Sequence, residues 1–331
     1  MADTTDHRFD QSKRHWISAA IESLDPEKDY ELMWRLMSCY RSSDFMNNLT
    51  YTLTFPNFIV TPHGGEVVWR KDGGKVTNNA TSRVEDTENY NMTWWYYGPS
   101  DPRCRQSVDR INKLHASFHE KYPGNFSHME DYAYVAAFSA ILMHRLRLRL
   151  GLSGFSEKEK IAAHHFWRDM VPLFFVEGQG YAHGFPDDFE GCIKYAEDFE
   201  NTPREHNENA RLVGLAIYNQ FAFRYFPPGL RWLGVAFCTS LSLPTTMRVM
   251  GIQPNNPIVS GFVFLFVRAL MWVSETILPD PKESIIRHLE TMSDANKKQR
   301  KEEIRTLDRN YAPYLKQKLG LHGCPFRAKL D

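Results

Sequence analysis

Apolar side chains recur every three or four residues over most of this 331-residue chain, the spacing that gathers them on one face of an α-helix. Helix punctuation separates the periodic runs. Ser82, Ser127, Ser156 and Thr202 each stand three residues before a glutamate, the pattern of a capping box. Asp101-Pro102 pairs an N-cap with a first-turn proline. Gly98-Pro99, Pro123-Gly124, Gly151, Gly178 and Pro227-Pro228 read as stops. Together these signals predict helices over about 11–24, 27–41, 82–97, 102–121, 128–150, 157–176, 186–200, 203–226, 229–241, 257–277, 282–292 and 294–319. Only 50–71, with TYTLTFPNFIV and GGEVVWRK, reads as irregular or β-like. The predicted fold is all-α: one large multi-helix bundle forming a single domain over 1–331. Its core lies within about 20–290 and its charged C-terminal helices span 282–319, with 294–309 as a solvated face.

Composition agrees with a packed core, since 42% of residues are apolar and 14% aromatic. Lys+Arg and Asp+Glu both number 40, so no excess positive charge points to nucleic acid. Five scattered cysteines, Cys39, Cys104, Cys192, Cys238 and Cys324, offer neither a disulfide framework nor C-x-x-C spacing. A reducing compartment is expected. The N-terminus carries no apolar signal or anchor segment, so the chain is expected to be cytoplasmic and its sequons at Asn48, Asn79, Asn91 and Asn125 coincidental. The longest apolar run, 258–277, has Arg268 at its centre; a transmembrane helix is possible by length, but that charge disfavours it and a buried core helix is the preferred expectation.

The chemistry-bearing residues cluster on two predicted helices. In 102–121, Val108, Ile111, His115, Phe118 and Tyr122 fall on one face, which Leu114 widens, so His115 points inward. Such a histidine is either a hydrogen-bonded core residue or a ligand. His119 follows one turn later, and with His128 or Asp131 it defines a second candidate metal site. In 82–97, Arg83, Thr87, Tyr90 and Trp94 share a face: a guanidinium, a hydroxyl and two large rings. That face reads as the polar roof of an apolar pocket or as a solvated first turn. Arg145, Arg147 and Arg149 could neutralise an anion or cap a helix end, and at most one of His164 and His165 faces the core. No P-loop, G-x-S-x-G, H-E-x-x-H or EF-hand pattern occurs.

Residues 83–115 read R-V-E-D-T, then 27 residues, then the histidine of D-R-I-N-K-L-H-A. With SEKEKIAAHHFWRDM (156–170) and LSLPTTMRVMGI (241–252), this order resembles the haem-dependent oxygenase family. That family includes bacterial latex-clearing protein, a rubber oxygenase, and the fungal endoplasmic-reticulum oxygenase of mycophenolic acid biosynthesis. The resemblance covers roughly 20–290. It implies a helical bundle around haem b, with His115 as the proximal iron ligand and Arg83 and Thr87 lining the distal side where oxygen binds. Tyr90, Trp94 and Trp95 would form an aromatic wall. The rubber-cleaving branch places a lysine where this chain has Asp86, so distal lysine ligation does not carry over. Many bacterial relatives have a histidine in the next helix, where this chain has Ala136.

The resemblance thus implies an oxidoreductase of secondary metabolism that uses haem b and dioxygen on a lipophilic substrate, by C=C cleavage or a related oxidation. Two other readings stand beside it: a non-catalytic helical protein that binds haem or a hydrophobic ligand, and a non-haem metal enzyme built on His115 and His119. Some family members carry an N-terminal membrane helix that is not seen here. Peripheral contact with an internal membrane is therefore the alternative to a wholly soluble chain.

Overall fold

The computed structural model describes residues 8–70 and 73–321; Cys324 lies outside them. Sixteen α-helices occur among the described residues. The first two are α1 (Trp16–Ser23) and α2 (Tyr30–Cys39). Then come α3 (Asp44–Phe58), α4 (Gly64–Trp69), α5 (Gly74–Asn78), α6 (Ala80–Tyr97), α7 (Pro102–His119) and α8 (Met129–Arg149). After α9 (Glu157–Met170) a 3₁₀ turn leads into the strands Phe175–Val176 and Gly180–Tyr181, which pair antiparallel. They are the only strand pairing among the described residues. The chain continues through α10 (Phe189–Asn201), α11 (Glu208–Tyr225), α12 (Arg231–Leu241), α13 (Pro244–Val249) and α14 (Pro257–Trp272). It closes with α15 (Ile285–Thr291) and α16 (Asp294–Lys318). The all-α expectation holds.

The stretch 50–71 departs from its irregular or β-like reading, for residues 50–58 lie in α3 and 64–69 in α4; Lys71 lies outside the described residues. Its β-branched residues favour strands, but local hydrogen bonds and burial override that preference. Ser43 caps α3 by accepting from the Met46 N–H. Thr52 and Thr54 return their hydroxyls to the carbonyls of Asn48 and Thr50, and the Asn57 amide donates to Leu53 O. Pro56 falls in the last turn of α3, close to where the helix ends, so it interrupts little of the ladder. Of the four capping boxes, only Ser156–Glu159 forms in both directions. Ser82 lies inside α6 and Thr202 ends α10. Asn207 caps α11 instead.

Two large apolar clusters fill the molecule. One joins α3, α5, α6, α11, α12, α14 and α16, around Tyr218, Phe221, Phe237 and Tyr311. The other joins α2 and α6–α10, around Trp34, Phe138, Phe166 and Trp167. Helix α6 belongs to both, with Ala80 and Val84 in the first and Trp94 in the second. Gly98 ends it at φ +78°, where a Cβ would lie 2.7 Å from the Glu31 carboxylate. The four described cysteines are buried free thiols, Cys238 in the first cluster and Cys104 and Cys192 in the second. Two of the sequon asparagines, Asn48 and Asn125, are also buried.

The charged helix α16 is only partly the solvated face its composition suggests. Tyr311 is fully buried and its hydroxyl donates to the Ala216 carbonyl. Arg300 bridges Asp44 and Glu85 at 2.9 and 2.7 Å. The 258–277 run corrects the sequence reading more sharply. Its helix is long and apolar enough to cross a membrane, yet only 11% of that span is buried. The helix touches the protein along one stripe, Val263, Val267 and Met271, rather than all round.

Candidate functional site

A cavity of about 1810 Å³ opens between α3, α6, α7, α8 and the C-terminal end of α14. All five residues marked from sequence line it: Arg83, Thr87, Tyr90 and Trp94 from α6, and His115 from α7. The two helices therefore bring together residues 32 positions apart at their extremes. Helix α7 owes its start to Asp101, whose carboxylate accepts from the Arg103 N–H at 2.8 Å, with Pro102 in the first turn. Its inward stripe begins at fully buried Val108 and reaches the cavity at Ile111, His115 and Phe118. Leu114, expected to widen the buried stripe, is 43% exposed at the cavity edge.

His115 is fixed on two sides. Its ring stacks on Phe126 with centroids 4.4 Å apart and 19° between planes. The Tyr132 hydroxyl lies 3.4 Å from Nδ1. Nε2 has no hydrogen-bond partner among the described residues. Burial, with the positive charge of Arg83 adding to it, pushes the imidazole down to about 4. The ring is neutral at physiological pH and keeps a free lone pair. Burial likewise pushes the Tyr132 hydroxyl up, so it stays a neutral donor or acceptor.

On α6, Arg83 donates from Nη1 to Thr87 Oγ1 at 2.8 Å, and the Thr87 hydroxyl returns to the Arg83 carbonyl at 3.1 Å. The Arg83 guanidinium rests over Phe55, 4.8 Å from its centroid. No acidic side chain neutralises it among the described residues. Trp94 donates to Ser107 Oγ at 3.1 Å, which ties α6 to α7 and sets the aromatic wall with Tyr90. Trp95 lines the cavity as well. Asp86 lies at the half-exposed rim, paired with Lys75 at 3.0 Å.

Four participants escaped sequence reading. Phe126 and Tyr132 orient His115; Tyr51 and Phe55 floor the cavity beneath Arg83. Tyr51 is fully buried with no hydrogen-bond partner for its hydroxyl. Arg70 is a further cation on the wall, over Phe118 at 4.9 Å, held at the one non-glycine positive φ among the described residues. The strand-like appearance of 50–71 hid Tyr51 and Phe55, and Arg70 carries no signal in its sequence context.

The alternative metal site does not assemble. Asp131 lies 2.6 Å from His63 Nε2, and His128 stacks on His63 at 3.8 Å, so both expected third ligands are engaged there. No group of three His, Cys, Asp or Glu side chains close enough to hold a metal ion occurs among the described residues. The arginine cluster is also spent internally. Arg145 pairs bidentately with Glu200 at 2.7 and 2.8 Å, Arg147 with Glu275, and Arg149 caps the carbonyls of Ser240, Leu241 and Ser242. Of the histidine pair, His164 is the inward one, contacting the Pro186 carbonyl at 2.8 Å.

Neither protein-family models nor curated proteins give a match to this chain.

Proposed function

We propose that the chain is a haem b-dependent oxygenase that oxidises a lipophilic substrate with dioxygen, holding the haem through His115. One observation carries this reading. A neutral imidazole with a free Nε2 shares a single large cavity with an unneutralised guanidinium and its partner hydroxyl. The residues present fit the cofactor. Ligand pockets usually measure about 300–1,000 Å³. A cavity of about 1810 Å³ has room for a tetrapyrrole and an apolar substrate together. The family resemblance of residues 83–115 points the same way.

Haem, when bound, supplies a redox-active iron able to activate dioxygen. The chain supplies placement and electrostatics. With Nε2 holding iron, the Nδ1–H of His115 would donate to the Tyr132 oxygen 3.4 Å away, which would fix the tautomer. The Phe126 stack fixes the plane of the ring. Arg83 is already committed to Thr87, so its remaining N–H groups are presented in a fixed direction. Aromatic and aliphatic walls exclude water and accept an apolar substrate. In the reaction expected of such a site, both atoms of dioxygen end as two carbonyl oxygens where one C=C bond stood. No further oxidant or reductant enters that balance.

Absorption spectroscopy tests the reading. Purified or haem-reconstituted protein should show a Soret band, and His115→Ala should lose it while keeping its helical circular dichroism. A colourless protein that rejects haem would overturn it. The cavity's volume alone fits a hydrophobic-ligand carrier equally well. Haem binding without dioxygen uptake on any lipophilic alkene would favour that second reading.

A further inference from the structure

We propose that the outer face of α14 is a membrane-docking surface that lies in the interfacial layer of a lipid bilayer and opens the cavity toward the acyl chains. Ile258 is 82% exposed, Leu265 67% and Phe262 60%; Phe266, Leu270 and Trp272 continue the same exposed surface. Leu230 and Trp232, at the start of the neighbouring helix α12, are exposed as well. Isolated exposed apolar residues are ordinary, but a continuous apolar face on one helix marks an interaction site.

The chemistry of this face selects lipid as its occupant. Between Pro257 and Trp272 the only polar side chains are Ser260 and Arg268. Ser260 turns inward to Ser240 at 3.1 Å. Arg268 is exposed, but its guanidinium reaches to 3.1 Å from the Cβ position of Gly151, at the carbonyl end of α8, so the lone charge lies at the margin of the face rather than across it. In the turn that follows, Glu275 is paired with Arg147. The outward surface therefore offers a single charge at its margin and no hydrogen-bonding pattern for a protein partner to read, whereas protein interfaces carry polar rims and several hydrogen bonds. It offers large aliphatic groups with tryptophans at its margins, the residues of a bilayer interface.

The helix lies along the membrane rather than across it. Val263, Val267 and Met271 are buried against the protein, and α12 packs beside them. A spanning orientation would carry the polar ends of α8 and α12 into hydrocarbon with α14. The placement also has a route in it. Leu270 and Leu278 are at once exposed and part of the cavity lining, so the cavity reaches the surface along this helix. A lipophilic molecule dissolved in the membrane would enter there without crossing water. Docking stands on the helix alone; the entry route rests on the proposed lipophilic substrate.

Flotation of the full chain with phosphatidylcholine vesicles tests the docking without reference to haem. The protein should float with neutral vesicles, remain bound at high salt and leave them in alkaline carbonate. Phe262→Glu and Leu265→Glu change exposed positions, so both should fold with unaltered circular dichroism and melting temperature. Each should weaken vesicle partitioning about tenfold or more, since a charge in this layer is heavily disfavoured. Lys298→Glu, on exposed α16, should float as the parent does. A parent that stays at the bottom of the gradient overturns the proposal, and so do variants that float undiminished. Retention after carbonate would indicate a spanning helix. A stable dimer that Phe262→Glu separates, with no vesicle binding, would assign the face to a second copy.

Discussion

Asp308 grips Ser82 twice. Its Oδ2 accepts from the Ser82 backbone N–H at 3.2 Å and from the hydroxyl at 2.6 Å, while Oδ1 accepts from the Thr81 N–H at 2.6 Å. A buried carboxylate from the C-terminal helix thus caps α6, next to the residue that brings Arg83 into the cavity. Asp308→Ala should cost about 1–3 kcal/mol, because a cap is lost and N–H donors are left buried. Denaturant unfolding measures the cost. Hydrogen exchange should quicken first at residues 80–84; uniform exchange along α6 would speak against the capping role.

If the chain holds haem as proposed, the Arg83–Thr87 pair separates cofactor binding from ligand recognition. Arg83→Ala and Thr87→Val should keep haem content near the parent's, since neither residue supplies the axial nitrogen. Affinity for an anionic haem ligand such as cyanide should fall about tenfold for Arg83→Ala, the scale of one charge-assisted hydrogen bond. Loss of haem from the threonine variant would place Thr87 in the fold rather than in recognition.

His115 sets an acid limit. Its folded value, about 4, lies below the free value of 6.5, so the folded protein resists protonation there. The resulting stability is complete above pH 6.5 and is lost as pH falls toward 4. His115→Phe, which preserves a ring against Phe126, should flatten the decline of melting temperature across that window. An unchanged acid slope would show that other groups govern it.

Glu88 has the opposite sign. Both its oxygens are buried without a well-formed hydrogen bond, and burial, reinforced by Glu85 and only partly opposed by nearby Asn91, raises its carboxyl well above the usual range. The folded state holds this proton more tightly than the unfolded state, so its contribution is full below the ordinary carboxyl value of 4.5 and is lost as pH rises. Glu88→Gln removes that loss. Its melting temperature should exceed the parent's more in mildly alkaline buffer than in mildly acidic buffer. An equal gain in both would mean that Glu88 is not the titrating group.

Arg145 distinguishes scaffold from ligand site. Glu200 is nearly enclosed, with 6% of its side chain exposed. Arg145→Ala should therefore cost about 2–4 kcal/mol, between the values of exposed and buried pairs. Haem uptake by the folded fraction should be unchanged. Calorimetry with reconstitution measures both quantities.

The site was legible where it depends on spacing within one helix. His115 with Val108 and Ile111, and Arg83 with Thr87, Tyr90 and Trp94, are i+3 and i+4 relationships that a sequence displays directly. It was illegible where distant segments decide. Nothing around Ser82 announces that Asp308, 226 positions later, caps it. Nothing in LMHRLRLRL distinguishes an anion cradle from three separate structural pairs. The β-branched run in α3 misled because Thr52 and Thr54 satisfy themselves on their own helix. The run 258–277 misleads because hydrophobicity suggests enclosure, whereas the structure buries one stripe and leaves the rest bare.

The placement of the cysteines has an experimental use. Cys104 and Cys192 belong to one cluster and Cys238 to the other, and burial pushes the first two up to about 12. A maleimide reaches such sulfurs only during an opening event. With Cys39 and Cys324 replaced by serine, modification rates would become a clock for each half of the protein. Matching rates would mean that the halves come apart in one cooperative event, and unequal rates would show which lets go first.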